Sequence, residues 1–480
     1  MARLSLWRLD FTTFPGLSII NAVHARSVSP RKISRRELLK QVTDLSTLLP
    51  LAGLGVPLAP LLLSRRGQVP AVAGNPPLFQ VDEAFLEEVE NASFRFFWEQ
   101  GHPSTGIVRD RCNTITPDKS TLGSIAATGF GLTALSIGDE RGYVPHAEAR
   151  GRVLNTLRFL WKKLPNHRGF FYHWADVNTG ERLWDSEVSS IDTAILLCGV
   201  LTCREHFQHS EISDLASEIF NRVDWTWLSE DTPILPHGWT PETGFLQYRW
   251  DNYSEMMMMY LLGLGSFTYP LAPQTWTAWK RMPFEYDGIR YIGSFAPLFV
   301  HQYSQAWFDF RDKRDQYADY FQNSTTATIV HRRFCMDLQS QFPDYTEKLW
   351  GITASDSVKG YVVWGGPPAT GPIDGTVVPC AAGGSLPFLP QETLTVLETI
   401  KNHYGDRAWS RYGFVDAFNP LTGWYDTDVI GIDTGITMLM AENVRTGFVW
   451  NTFMRNPEAT RGMERAGLKP YRRPIAPEGA

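Results

Sequence analysis

The links between helical segments alternate in length along this chain, and that alternation restricts the fold more than any other sequence feature. From Val81 onward Ala84, Phe85, Val89, Ala92, Phe96 and Phe97 recur at three- and four-residue spacing. Further periodic segments lie near 120–141, 146–164, 187–208, 211–228, 252–264, 272–282, 295–310, 315–341, 390–404, 433–446 and 448–456, about twelve helices in all. Strand-like alternation is scarce. The links 102–119, 165–186, 229–251, 342–389 and 405–432 are long and rich in Gly, aromatic and acidic residues, and the others are short. An all-α double ring of helices, an (α/α)6 barrel, satisfies this pattern, because its long loops gather at one end of the inner ring and form a cleft. A superhelical array would need a fixed period, which is missing. The loop 342–389, with Gly365-Gly366-Pro367-Pro368 and Gly383-Gly384, is expected to rim that cleft or to cover it.

The first 73 residues read as an address. Ser34-Arg35-Arg36-Glu37-Leu38-Leu39-Lys40 is followed by the apolar run 48–63 and by Ala71-Val72-Ala73, the order of a twin-arginine signal and its small-residue cleavage site. The apolar run, roughly sixteen residues, falls short of spanning length, and Pro50, Gly53, Gly55, Pro57 and Pro60 weaken it as a stable transmembrane helix. Residues 1–73 are therefore expected to be an N-terminal extension and signal peptide. Residues 74–480 form one domain, expected to be periplasmic or secreted.

Acidic residues dominate the candidate chemistry. In 250–264, Glu255 opens an otherwise apolar helix, where Trp250, Tyr253 and the four methionines 256–259 would desolvate it as a general acid requires. A capping box competes, with Asn252 as N-cap and Glu255 at the third helical position, where the helix dipole favours the ionised form. Arg109-Asp110-Arg111 reads most simply as a surface ion-pair cluster. Asp185, Ser189 and Asp192 share a face at helical spacing, and Asp192, among apolar neighbours, must be hydrogen-bonded or functional. The region 412–433 adds Asp416, Asp426, Asp428 and Asp433, the last placed to cap an apolar helix. Two carboxyl groups facing across a cleft are the minimum equipment for hydrolysing a glycosidic bond. The residues alone do not choose the pair.

Other chemistries fit poorly. A net charge of −6 with both signs mixed and no basic block argues against nucleic acid and anionic membranes. The 17 Trp, 17 Tyr and 28 Phe supply ring surface of the kind that sugars stack on. The five cysteines show no metal-type spacing and are expected to be buried free thiols, without a zinc site. No G-x-S-x-G, H-E-x-x-H or dinucleotide fingerprint occurs. His173 and His237 lie in the long loops, either as satisfied structural histidines or as substrate ligands, with a lyase a distant option.

Several segments in order resemble one family: 94–99 with Thr105-Gly106-Ile107-Val108-Arg109-Asp110-Arg111; SIAATGFGLTALSIGDERG at 124–142; VLNTLRFLW at 153–161; EVSSIDTA at 187–194; 253–264; and 413–450 with FVDAFNP, GIDTG and ENVRTGFVW. Together they resemble the glucoamylase-like domain family that includes the bacterial endo-β-1,2-glucanases, glycoside hydrolase family 144, over about residues 82–468. The resemblance implies an (α/α)6 barrel and inverting hydrolysis of a β-linked glucan, with no metal or organic cofactor. It implies Glu255 as general acid and Asp433 as first choice of base, with Asp416 and Glu187 behind it. Arg109, Asp185, Glu187, Asp192 and Asp416 are then substrate-contacting positions. Trp174, Trp184, Trp239, Trp250 and Trp424 are candidate platforms for sugar rings. The rival readings are an exo-acting hydrolase or transglycosidase on a related β-glucan, and a glycan-binding protein without catalysis.

Overall fold

Helices that are apolar on one stripe and helices that are apolar all round alternate along the chain, and this sorts them into two rings. The computed structural model describes residues 82–294, 297–365 and 371–471; the segment read as an export signal, with its expected cleavage site, lies outside the described residues. In chain order the helices are α1 (Glu83–Gln100), α2 (Ile125–Glu140), α3 (His146–Lys162), α4 (Ser190–Phe207), α5 (Ser210–Asn221), α6 (Trp225–Ser229), α7 (Met257–Gly265), α8 (Gln274–Ala278), α9 (Tyr303–Trp307), α10 (Tyr320–Asp337), α11 (Pro379–Gly383), α12 (Pro390–Ala408), α13 (Gly431–Arg445), α14 (Phe448–Phe453) and α15 (Pro457–Arg465). Helices α7, α9 and α11 are buried at every residue, and α2, α4 and α13 over most of their length. By contrast α1, α3, α5, α10 and α12 bury one face only.

The six buried helices form the inner ring. Each packs on the next, α2 on α4, α4 on α7, α7 on α9, α11 on α13, and α13 back on α2. The step from α9 to α11 is made by Gln302, whose Nε2 donates to the Ala381 carbonyl at 2.9 Å and to Ser385 Oγ at 2.8 Å. Between α2 and α4 the backbones touch: a Cβ added at Gly199 would lie 2.2 Å from the Gly129 carbonyl oxygen. Midway down the ring Phe130 of α2 meets Tyr303 and Trp307 of α9, with ring centroids 5.5 and 4.9 Å apart. Trp307 Nε1 completes the contact by donating to Thr133 Oγ1 at 3.0 Å.

The two ends of the ring differ. At the C-terminal end of α13, Arg445 reaches Glu83, Glu87 and Glu90 of α1 at 2.8, 2.8 and 2.7 Å, and Glu442 pairs with Arg141 at 2.6 Å. At the other end the first residues of the inner helices are tied to neighbouring loops. Ile125 N–H donates to the His173 carbonyl, Ser190 N–H to that of His237 and Gly431 N–H to that of Asp110, at 3.3, 3.1 and 2.7 Å. Antiparallel strands of two or three residues extend these ties, joining 108–109, 122–124 and 174–176; 188–189, 238–240 and 244–245; and 111–113 with 428–430. The long loops therefore do collect at one mouth.

Several boundaries differ from those read in the sequence. The segment 211–228 divides into α5, which ends at Asn221 with Arg222 as its C-cap, and α6, which Asp224 caps by accepting from Trp227 N–H at 2.8 Å. The segment 272–282 holds only the short α8, followed by a hairpin, Met282–Tyr286 with Ile289–Gly293, turned by Asp287-Gly288 at φ 48° and 77°. The segment 295–310 reduces, in its described part, to the 3-10 turn Leu298–His301 and α9. Helix α11 lies inside the long loop 342–389, and α15 follows the last predicted segment. All five cysteines are buried and none forms a disulfide.

Candidate active site

Glu255 lies in the turn that enters α7 and is only 6% exposed. The capping-box reading falls. The helix starts at Met257 with Met256 in the N-cap position, and no side chain of this segment caps it. Ser304 of α9 does that work, its Oγ accepting from Met258 N–H at 2.9 Å and donating to the Glu255 carbonyl at 2.6 Å. A partner from another helix thus fixes the backbone of Glu255 and leaves the carboxyl outside the capping role. Trp250 is buried, stacked on His237 at 3.9 Å, with Nε1 donating to Ser190 Oγ at 2.9 Å. Its ring packs the wall and is not open as a platform.

Next around the mouth, His173 stands between two acids. Its Nδ1 lies 3.3 Å from Glu187 Oε1 and its Nε2 lies 3.7 Å from Asp192 Oδ2. Ser189 caps α4 by accepting from Asp192 N–H at 3.1 Å, and its hydroxyl donates to the Asp192 carboxylate. The buried Asp192 therefore has the hydrogen bonds its environment demands. Asp185 and Ser189 precede α4, so the shared helical face expected for Asp185, Ser189 and Asp192 does not exist. Asp185 is instead exposed, at φ 50°, beside Trp184 at φ 57°. Two consecutive non-glycine residues in the left-handed region store strain of about 1–3 kcal/mol each. Trp184 is 62% exposed and meets Trp174 edge-on at 6.0 Å, while Trp174 stacks on His173 at 4.0 Å. Trp239 stacks on His167 at 4.0 Å and Trp424 is half-buried in the hairpin with Phe418–Asn419.

The loop end of α13 is acidic. Asp433 sits in the first turn of α13 but does not cap it, since Ile430 holds the N-cap position. Cys380 Sγ–H donates to Asp433 Oδ1 at 3.3 Å. Asp416 shares a small recess with it, lined also by Cys380, Phe414, Thr434 and Thr437. Asp416 is 3% exposed, and its Oδ2 accepts from Asp356 N–H at 2.6 Å. Burial pushes its carboxyl well above the usual aspartate range, and the charges of Asp433, Asp356 and Asp426 add to the effect. Burial together with Asp356 and Asp428 likewise raises Asp426 to about 7.

Arg111 supplies the positive charge of this group. Its Nε lies 2.8 Å from Asp110 Oδ2 and its Nη1 bonds the Asp356 carboxylate and lies 4.0 Å from that of Asp428. Arg109-Asp110-Arg111 is thus no surface cluster, because Asp110 is buried and Arg111 half-buried. Arg109 points elsewhere, donating to Gln100 Oε1 and to the Asp118 carbonyl, each at 3.2 Å. Asp356, Asp426 and Asp428 bring oxygens within 4.8 Å of one another, a spacing a cation could bridge, but the Arg111 guanidinium already serves there. Sequence reasoning did not single out Asp356 or assign a role to Arg111 or Cys380.

Glu255 lies in the turn before α7 and Asp433 in the first turn of α13, so both stand at the N-terminal, loop-bearing ends of inner helices, and both helices pack on α9.

Comparison with known proteins agrees with the helical fold. The Glycoamylase family model, described as "Putative glucoamylase", matches residues 247–457. The solved structure of a protein from Bacteroides uniformis with the same description is 30% identical, with 81% of this chain and 98% of that one covered and a TM-score of 0.76. An endo-β-1,2-glucanase from Chitinophaga pinensis, solved in complex with sophorotriose and glucose, is 27% identical, with 81% and 98% covered and a TM-score of 0.76. An exo β-1,2-glucooligosaccharide sophorohydrolase (non-reducing end) from Parabacteroides distasonis is 27% identical over 423 residues. The chain spans 58% of the length of that relative, and the match takes in 80% of this chain.

Proposed function

The chain belongs to the glucoamylase-like family, and from that premise we propose that it is an exported, inverting glycoside hydrolase that cleaves β-1,2-glucan within the chain. The chemistry is supported by two buried carboxyl groups, Glu255 in the turn before α7 and Asp433 in the first turn of α13, both at the loop-bearing ends of inner helices. Glu255 gives its proton to the departing glycosidic oxygen as the bond from the anomeric carbon to that oxygen breaks. A water attacks the anomeric carbon from the opposite face and passes its proton toward Asp433. One C–O bond is broken and one formed, with inverted configuration, and neither a metal nor an organic cofactor takes part. Glu187, Asp192 and His173 lie at the start of the neighbouring α4 and hold sugar hydroxyls, while Trp184 and Trp174 offer ring faces at the rim. Endo action is supported by the match to the Chitinophaga pinensis enzyme, whose chain is spanned almost completely. Export rests on the twin-arginine pattern around Arg35 and Arg36.

The test is incubation of the full chain with linear β-1,2-glucan, with products separated by size and their anomeric form read by NMR before mutarotation. A ladder of oligosaccharides with α-anomeric reducing ends is expected. Glu255→Gln and Asp433→Asn should each lower turnover about 10²–10⁴-fold while sophorotriose still quenches tryptophan fluorescence. Sophorose as sole product would make the enzyme exo-acting, and binding without turnover by the wild type would leave only a glycan-binding protein.

A further inference from the structure

Three loop segments meet at the start of α13. In the first, strand 111–113 pairs with 428–430, and the Asp110 carbonyl accepts from Gly431 N–H at 2.7 Å, which stitches this segment to the entry of α13 itself. The second carries Asp416, whose N–H donates to the Asp428 carbonyl at 2.9 Å. The third is the hairpin of 354–355 with 362–363, from which Asp356 N–H donates to Asp416 Oδ2 at 2.6 Å. Asp416 and Asp433 line one recess, and Asp433 follows just beyond Ile430, the strand partner of Arg111.

The acids of these segments repel one another. Asp110, Asp356, Asp416 and Asp428 are all buried, and Asp426 stands with Asp356 and Asp428. Carboxylates so placed need a counter-charge. Arg111 supplies it through separate nitrogens aimed at separate loops. Its Nε reaches Asp110 Oδ2 at 2.8 Å in the first segment, and its Nη1 bonds the Asp356 carboxylate of the third and lies 4.0 Å from that of Asp428 at the entry to α13. The planar fork of a guanidinium can serve two acids at once in fixed directions, which a lysine ammonium does less well. Burial works against the charge on Arg111, but the carboxylates of Asp110, Asp356 and Asp416 more than offset it and hold the guanidinium firmly protonated.

We propose that Arg111 is a positioning residue for the base: its guanidinium clamps the loop segments around the recess and so holds Asp433 in line with the attacking water. Two segments are gripped directly, and the segment of Asp416 is held through the backbone of Asp356 and Asp428. Loosening the clamp releases the hairpin that carries Asp356 and the strand 428–430 together, and α13 loses the fixed entry from which Asp433 projects. This role rests on the reading of Asp433 as base.

The experiment is steady-state kinetics of the full chain on linear β-1,2-glucan for the wild type, Arg111→Ala, Arg111→Lys, Asp433→Asn, and each Arg111 variant combined with Asp433→Asn. Arg111→Ala should lose about 10²-fold in kcat with KM changed by less than about twofold, the effect of shifting a reacting group by about 1 Å. Guanidinium chloride at a non-denaturing concentration should restore part of that loss, where sodium chloride at the same concentration does not. In the Asp433→Asn background the same substitution should cost less than about threefold, because a clamp that acts through Asp433 has nothing left to position. A loss carried by KM, a loss that guanidinium leaves untouched, or losses that multiply in the double variant overturn the role. Arg111→Lys keeps the charge without the fork and decides the outcome where Arg111→Ala does not fold. Wild-type kcat in Arg111→Lys overturns the clamp, and a lowered kcat that does not multiply with Asp433→Asn supports it. Asp433→Asn with wild-type turnover refutes the base and this role with it, so that single variant tells the two failures apart.

Discussion

Replacing Arg445 by methionine should destabilise the barrel from the end remote from the mouth. Arg445 bonds three glutamates, but two of them, Glu83 and Glu87, are well exposed and contribute little. Glu90 decides the outcome. It is 0% exposed, and burial followed by the nearby Glu442 charge already pushes its carboxyl well above the usual glutamate range even with Arg445 2.7 Å away. Removing one partner of a buried ion pair costs about 3–5 kcal/mol. With an unfolding entropy of about 2.1 cal/mol/K per residue over roughly 390 residues, ΔSm is about 0.8 kcal/mol/K, so Tm should fall by about 5 °C. The pH dependence has a definite sign. A carboxyl that binds its proton more tightly folded than unfolded favours folding below the ordinary glutamate range and loses that advantage as pH rises through its raised value. Loss of Arg445 raises Glu90 further, so the deficit of Arg445→Met should be larger at pH 8 than at pH 5. Differential scanning calorimetry at both pH values measures this, and Glu90→Gln added to Arg445→Met should recover part of the loss. A drop below 1 °C, or one equal at both pH values, refutes the buried-charge argument.

Gly199→Ala should force α2 and α4 apart and cost about 1–3 kcal/mol in urea denaturation, because its Cβ would lie 2.2 Å from a carbonyl oxygen. Trp184→Ala should weaken sophorotriose binding in a fluorescence titration without lowering Tm, whereas Trp250→Phe, which removes the bond to Ser190 Oγ, should lower Tm by the loss of about 1 kcal/mol and leave binding nearly unchanged. Asp426, raised to about 7, should make the protein lose stability as pH climbs from the ordinary aspartate range through about 7, and Asp426→Asn should flatten that slope in pH-dependent melting.

Periodicity read alone places most of the helices, since burial on one stripe or all round is written in each segment. It does not place their ends. Residues 187–189 fall within the segment read as helix, yet 188 and 189 pair as strand with 239 and 238, and the helix waits until Ser189 caps it. The hairpin at 282–293 falls in the gap between the segments 272–282 and 295–310, where Asp287-Gly288 between alternating residues is a turn signal left unread. For the mouth, local reasoning finds Glu255, Asp192, Asp416 and Asp433 as acids in apolar text. The capping alternative that competed for Glu255 and Asp433 falls only in the folded chain, where Ser304 caps α7 and Ile430 takes the N-cap position of α13. Arg111 and Asp356 are 245 residues apart, and nothing in either neighbourhood announces the other.

Phe130, Tyr303 and Trp307 stopper the inner ring halfway down. The ring is accordingly a cup and not a sleeve at that level. Under the proposed function a glucan chain would have to lie across the rim as a chord, and its fragments would leave by the opening through which fresh chain arrives.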